Sequence, residues 1–184
     1  MIIGLTGPRC SGKTEVSKIL SENGFIVLSF GDEVRLERDA RGLPADCDLH
    51  EFAVDLRKEF GEKYWAERII EKINLFSGKN YVVEGIRTFG DLELFKKING
   101  FILIGVSASM EIRFRRSSEN KRGRTDDTSD YMDFVRRCER DESSGFGGLQ
   151  SAKTFQDVNY VIENNGSAEE LKLKVLKLIE ELRK

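Results

Sequence analysis

No stretch of this chain is long and apolar enough to span a bilayer. Its longest segment without a charged residue runs from Ile98 to Met110, short of the ~20 apolar residues a spanning helix needs, so a transmembrane helix is excluded. The first residues carry no basic leader, and Pro8 and Arg9 arrive before an apolar signal segment can form; a cytoplasmic protein is expected. Cysteine is scarce. Cys10, Cys47 and Cys138 are odd in number, far apart and without CxxC spacing, which argues against a disulfide framework and a zinc site and for reduced thiols. Net charge is nearly absent as well: 30 basic and 32 acidic side chains leave −2, so no global field draws the chain to nucleic acid or a membrane. Any cationic site must therefore be local. Repeats, low-complexity segments and Pro/Gly/Ser-rich linkers are missing, and 184 residues fit a single domain at roughly 100–200 residues each.

What is present alternates short apolar runs with longer amphipathic ones, the pattern of βα units around a parallel sheet. Strands are expected at Ile2–Thr6, Phe25–Ser29, Tyr81–Glu84, Phe101–Val106 and Val158–Ile162. Each is continuous in Val, Ile, Phe or Tyr, as strands covered on both faces should be. A helix over Thr14–Ser21 gathers Val16, Ile19 and Leu20 on one stripe and stops at Asn23-Gly24, residues suited to a left-handed C-cap. The last helix opens with the capping box Ser167-Ala168-Glu169-Glu170 and places Leu171, Val175, Leu178 and Leu182 at helical spacing. About fifty residues separate the second and third strands, with helical patterns through Phe52, Leu56 and Phe60 and again through Tyr64, Ala66, Ile69, Ile70 and Ile73. That is long for a crossover and reads as an inserted helical subdomain, on which His50 and Trp65 serve packing or surface needs.

Gly7-Pro8-Arg9-Cys10-Ser11-Gly12-Lys13-Thr14 is a complete G-x-x-x-x-G-K-[ST] motif between an expected strand and an expected helix. Its two glycines allow a backbone wrap whose N–H groups point inward, and the following helix adds the positive end of its dipole. All eight residues are candidates for binding ATP, although Pro8 has no N–H to give. Lys13 would reach the β- and γ-phosphates, and the Thr14 hydroxyl would ligate the Mg²⁺ bridging them. Cys10 serves either packing or as an oxidisable thiol.

Further groups bear on which enzyme uses this loop. Asp32 and Arg35 follow the second strand, and Glu84 and Arg87 mark the exit of the third, at the sheet edge where ligands of open α/β sheets bind. Arg35 and Arg87 can clamp an acceptor phosphate; Arg35 can equally lie on a solvated face with Arg38 and Arg41. Glu84 either holds Mg²⁺ through water or caps the following turn. From Arg113 to Arg124 the chain sets six cations, Arg113, Arg115, Arg116, Lys121, Arg122 and Arg124, against Glu119 alone. Some of these and of Arg136, Arg137 and Arg140 pair with Asp133, Glu139 or Asp141. The run suits a lid whose arginines stabilise the transferred phosphoryl group and exclude water. A guanine-reading Asn-Lys-x-Asp is absent, which argues against a GTPase.

The loop, Gly31-Asp32-x-x-Arg35, Glu84-Gly85-x-Arg87 and Arg122-Gly123-Arg124 with Asp126-Asp127 and Arg136-Arg137 together resemble the adenylate kinase group of P-loop nucleotide kinases, in order and approximate spacing along most of the chain. Leu56-Arg57-Lys58-Glu59-Phe60-Gly61, Tyr64-Trp65-Ala66 and Arg140-Asp141-Glu142 are similar to an archaeal family of adenylate-kinase-related proteins of unassigned substrate. Ile2 to Gly7 and the stretch from Tyr160 to Leu171 also resemble dephospho-coenzyme A kinases, in which an aspartate at the place of Asp32 acts as base. These resemblances imply a three-layer αβα P-loop fold with a five-stranded parallel sheet in the order 2-3-1-4-5. The core would comprise 1–30, 79–110 and 155–184, with an acceptor-binding helical insert at 31–78 and an Arg-rich lid at 111–150. They imply transfer of a γ-phosphate from ATP–Mg²⁺ to a nucleoside monophosphate or similar nucleotide, with Lys13, Asp32, Arg87 and Arg124 catalytic. Arg122 would touch ATP; Asp32, Arg35, Arg87 and Arg137 would touch the acceptor; Thr14 and Glu84 would serve the metal. Nucleotides are the expected partners, without membrane or nucleic acid, for a monomer or dimer. The rival expectation is a regulatory ATPase whose arginine segment docks protein or RNA.

Overall fold

The computed structural model describes residues 1–119, 130–143 and 151–184. Five strands, β1 (Ile2–Thr6), β2 (Ile26–Ser29), β3 (Tyr81–Glu84), β4 (Phe101–Ser107) and β5 (Tyr160–Glu163), form one parallel sheet in the order β2-β3-β1-β4-β5. The helices are α1 (Lys13–Glu22), α2 (Phe30–Ala40), α3 (Leu49–Phe60), α4 (Tyr64–Leu75), α5 (Phe89–Phe95), α6 (Met110–Glu119), α7 (Tyr131–Ser143), α8 (Ser151–Phe155) and α9 (Ala168–Leu182). Sheet order and direction agree with expectation. None of the described helices is long and apolar enough to cross a membrane.

Side-chain alternation along the strands divides the core in two. On one face Ile3, Leu5, Val82, Ile104 and Val106 meet Val16 and Leu20 of α1 and Leu171, Val175 and Ile179 of α9. On the other, Tyr81, Val83 and Leu103 meet Val34 of α2, Trp65, Ile69 and Ile73 of α4, and Leu92 and Phe95 of α5. Fully buried side chains of this size stabilise by roughly 1.5–3 kcal/mol each, so the two layers hold the sheet from both sides. Trp65 is wholly buried, its indole N–H donating to the Ala53 carbonyl, in keeping with a packing role.

Only the three inner strands are covered as their composition suggests. In β2, Ile26 and Val27 stay exposed, as do Tyr160 and Val161 in β5, where Ile162 alone is buried. An edge strand has one neighbour, and the helices pack over the sheet's centre. The expected helix ends are found. Asn23 caps α1 while Gly24 takes the left-handed conformation, and Ser167 Oγ accepts from the Glu170 N–H at the start of α9. Between β2 and β3 the chain runs through α2, α3 and α4. A buried ion pair joins this excursion to α5: Arg57 of α3 donates to Asp91 at 2.6 Å, the side chains 6% and 1% exposed. Burial holds the Asp91 carboxyl above its ordinary range, and the Arg57 charge opposes that rise.

Candidate active site

Because all five strands run parallel, their C-terminal ends, Thr6, Ser29, Glu84, Ser107 and Glu163, lie along one edge of the sheet. The loop from Gly7 to Gly12 joins β1 to α1 at the centre of that edge. Gly7 has φ +134°, and a Cβ there would stand 2.2 Å from the Val106 carbonyl oxygen. Gly12, at φ +102°, would drive a Cβ to 2.1 Å from Asn164 Nδ2. The loop is thus held so closely against β4 and the end of β5 that only glycine fits at either turn. Among the described residues Cys10 is the one non-glycine with positive φ, +58°.

Lys13 folds back across the loop. Its Nζ donates to the Gly7 and Pro8 carbonyls at 2.9 and 2.8 Å, and its side chain is buried. Burial, followed by the nearby Arg87 charge, lowers its pKa to about 7, with Glu84 opposing. The structure therefore brings Lys13, Arg87 and Glu84 within one field. Glu84 spans the start of α1: Thr14 Oγ1 donates to Oε1 at 2.6 Å, and Ser17 Oγ stands 3.1 Å from Oε2 and 2.9 Å from the Lys13 carbonyl. Among the described residues no group of three His, Cys, Asp or Glu could hold a metal. One hydroxyl and one carboxylate is instead a hard-oxygen set of the kind that suits Mg²⁺, a cation that keeps most of its waters and takes the rest from phosphate.

Ser29 ends β2 and at once caps α2, its Oγ accepting from the Asp32 N–H. This sets Asp32 and Arg35 on the first turns of α2, joined at 2.5 Å, the carboxylate 62% exposed. Arg137 on α7 donates to Asp133 at 2.8 Å, four residues back on its own helix. Arg122 and Arg124 lie outside the described residues.

Several contacts on the loop left no mark in the sequence pattern. Arg113 and Arg116 of α6 belong to the cationic run read as a lid, yet they grip the outside of the loop. Arg113 Nη1 lies 3.4 Å from the Arg9 carbonyl, and Arg116 reaches the Ser11 carbonyl at 3.3 Å and Asn164 at 3.0 and 3.2 Å. Asn164 Nδ2 donates to the same Ser11 carbonyl at 2.9 Å. Arg9 reaches Asp141 of α7, Nε at 3.2 Å and Nη2 at 3.1 Å. His50, at the start of α3, is half-buried rather than remote: burial depresses it, followed by the charge of Arg140, with Arg87 adding to the effect and Asp141 and Asp48 opposing. Cysteine 138 shares this region, a buried thiol pushed up by burial with Arg113 opposing at 3.4 Å.

Comparison with known proteins fits this arrangement. An AAA domain family matches residues 6–132. A UPF0200 protein of Methanothermobacter thermautotrophicus is 37% identical over 160 residues, 86% of this chain and 81% of its own length. One from Methanosarcina mazei is 39% identical over 171 residues, 91% and 88% of the two chains. The chain belongs to the UPF0200 family. These UPF0200 relatives are archaeal, as the resemblance of motifs implied. Among solved structures, TT1252 from Thermus thermophilus superimposes with a TM-score of 0.66 at 20% identity, over 99% of this chain and 97% of that one. Shikimate kinase from Acinetobacter baumannii in complex with shikimate gives 0.58 at 20% identity over 98% and 93%. At such identity the likeness is one of fold: this UPF0200 protein has a P-loop, kinase-like architecture.

Proposed function

We propose that this chain is an ATP- and Mg²⁺-dependent phosphotransferase that moves the γ-phosphate to a nucleoside monophosphate or a similar nucleotide. The observation that carries this reading is the convergence of Lys13, the Thr14–Glu84 pair and the Arg87 charge on one loop at the sheet's C-terminal edge. The loop amides and the α1 N-terminus receive the terminal phosphates, and Lys13 exchanges its two carbonyl partners for phosphate oxygens. Bound Mg²⁺ would neutralise charge on the β- and γ-oxygens, with Thr14 as ligand and Glu84 orienting its waters. Arg87, Arg35 on the α2 side and Arg137 meet the acceptor's anion, Arg122 meets ATP, and Arg124 stabilises the transferred phosphoryl group. Thermal hydrolysis competes with transfer unless water is excluded, which is the work assigned to the segment at 111–150.

A second reading rests on Asp32, whose exposed carboxylate stands at the exit of β2. A monophosphate acceptor already offers an ionised oxygen and needs no base. A hydroxyl acceptor, as in a dephospho-coenzyme A kinase, must lose a proton, and Asp32 would take it. Product analysis of ATP–Mg²⁺ with a panel of nucleoside monophosphates and dephospho-coenzyme A tests both. One phosphorylated acceptor should emerge, and Asp32→Asn should lower kcat by about 10²–10⁴ if that acceptor reacts through a hydroxyl, and little otherwise. ADP released at one rate whatever acceptor is added would overturn the kinase reading and favour the regulatory ATPase.

A further inference from the structure

The contacts between the phosphate loop and α7 do more than pack two elements together. Arg9 is a residue of the loop itself, so its backbone belongs to the phosphate cradle, while its guanidinium forks onto Asp141 of α7 through Nε and Nη2. Both groups are withdrawn from solvent, at 15% and 5% exposure, so their attraction is screened less than that of a surface pair. A second strut runs alongside. Arg113 of α6 touches the Arg9 carbonyl and the Cys138 sulfur of α7, each at 3.4 Å, and its buried Nε has no hydrogen-bond partner among the described residues. A cation so incompletely satisfied holds its place through its neighbours and is sensitive to any shift of them. The neighbouring Arg140 acts by its charge on both Asp48 and His50 at the start of α3, and Asp141 itself acts on His50. One helix thus touches the phosphate loop at Asp141 and, from Arg140 just before it, reaches the first residues of α3 electrostatically.

We propose that Asp141 is a positioning residue: through Arg9 it makes the placement of α7, and with it Arg140 opposite α3, depend on whether phosphates occupy the loop. Arriving phosphates draw on the same guanidinium that Asp141 holds, so occupancy of the loop weakens or redirects the fork and α7 responds. The inference rests on the nucleotide-binding reading and extends it from the loop to a helix that supplies none of the loop's own residues.

Hydrogen–deuterium exchange over 131–143, with and without the imido analogue of ATP plus Mg²⁺, tests it. The analogue should change exchange in α7 about threefold or more in the native protein. Asp141→Asn should still bind the analogue within about fivefold, measured by direct titration, yet lose the α7 response; Asp141→Glu, which keeps the charge, should recover part of it. Where Asp141→Asn is too unstable to purify, Arg9→Lys keeps the charge but loses the fork, and even when saturated with the analogue, whatever its affinity, it should lose the α7 response. An α7 response equal in native and uncoupled proteins, or none in a native protein that binds the analogue, would overturn the inference alone. Failure of the native protein to bind the analogue would overturn the nucleotide reading and this inference with it.

Discussion

Lys13 is the residue at which electrostatics and function meet most directly. An amine whose ordinary value is 10.5 is held at about 7 by burial and by Arg87, so in the free protein near pH 8 it is mostly neutral, its two N–H bonds satisfied by the Gly7 and Pro8 carbonyls. Polyphosphate entering the loop supplies the opposite charge that burial denied it, and its pKa must rise. Binding at pH 8 should therefore take up roughly 0.9 proton per nucleotide. Calorimetric titration in two buffers of different ionisation enthalpy reads this directly. Uptake should fall towards zero below pH 6, where the free lysine is already charged, and should vanish in Lys13→Met. Buffer-independent heats at pH 8 would mean that the amine is charged in the empty loop. The loop's identity was legible from its eight residues alone, because glycine positions and a lysine at fixed spacing encode a backbone shape locally. Asn164, Arg116 and Asp141 were not, since they reach the loop from residues 153, 105 and 132 positions away and no periodicity marks such partners.

At the level of elements, the sheet was readable because buried parallel strands are continuous in apolar residues, and the helices because capping residues and stripes announce them. What escaped was how the α2–α4 excursion is fastened. Helical spacing predicted α3 and α4 but could not single out Arg57, which sits among exposed Lys58, Glu59 and Phe60 in sequence and is nonetheless buried against Asp91. Removing the guanidinium by Arg57→Met would leave a buried carboxylate eased, among the described residues, by the Thr88 side chain. Such a loss costs about 3–5 kcal/mol, measurable as a lowered urea midpoint. Without the Arg57 charge that opposes its rise, Asp91 in the variant binds its proton at higher pH than in the native protein, so the destabilisation should shrink in acid. Asp91→Asn added to Arg57→Met should restore part of the stability. A single-variant cost below about 1 kcal/mol would mean the pair does not hold α3 to α5.

For the whole molecule, the phosphate loop is the point where both core layers and the outer helices converge. Its helix α1 packs in one layer through Val16 and Leu20. Glu84 and Arg87 extend from β3, whose Val83 packs in the other. Arg113 and Asp141 bring in α6 and α7. A ligand seated there reinforces contacts from every layer, so binding should move one cooperative unfolding transition rather than stiffen a local segment. At a hundredfold excess over Kd, ATP–Mg²⁺ should add about 2.7 kcal/mol, which for a chain of this size raises Tm by roughly 5–10 °C. Lys13→Met should behave in the opposite sense on both counts. Removing a buried amine that is costly to charge should make the free protein more stable, most of all below pH 7, where the native lysine must be protonated while buried. The same change should abolish the nucleotide-induced rise, because the cradle then lacks the amine that exchanges its carbonyl partners for phosphate oxygens. Scanning calorimetry of both proteins at pH 6 and pH 9, with and without ATP–Mg²⁺, separates these effects. A free Lys13→Met less stable than the native chain at pH 6 would show that the lysine's bonds to Gly7 and Pro8 outweigh the cost of burying its charge.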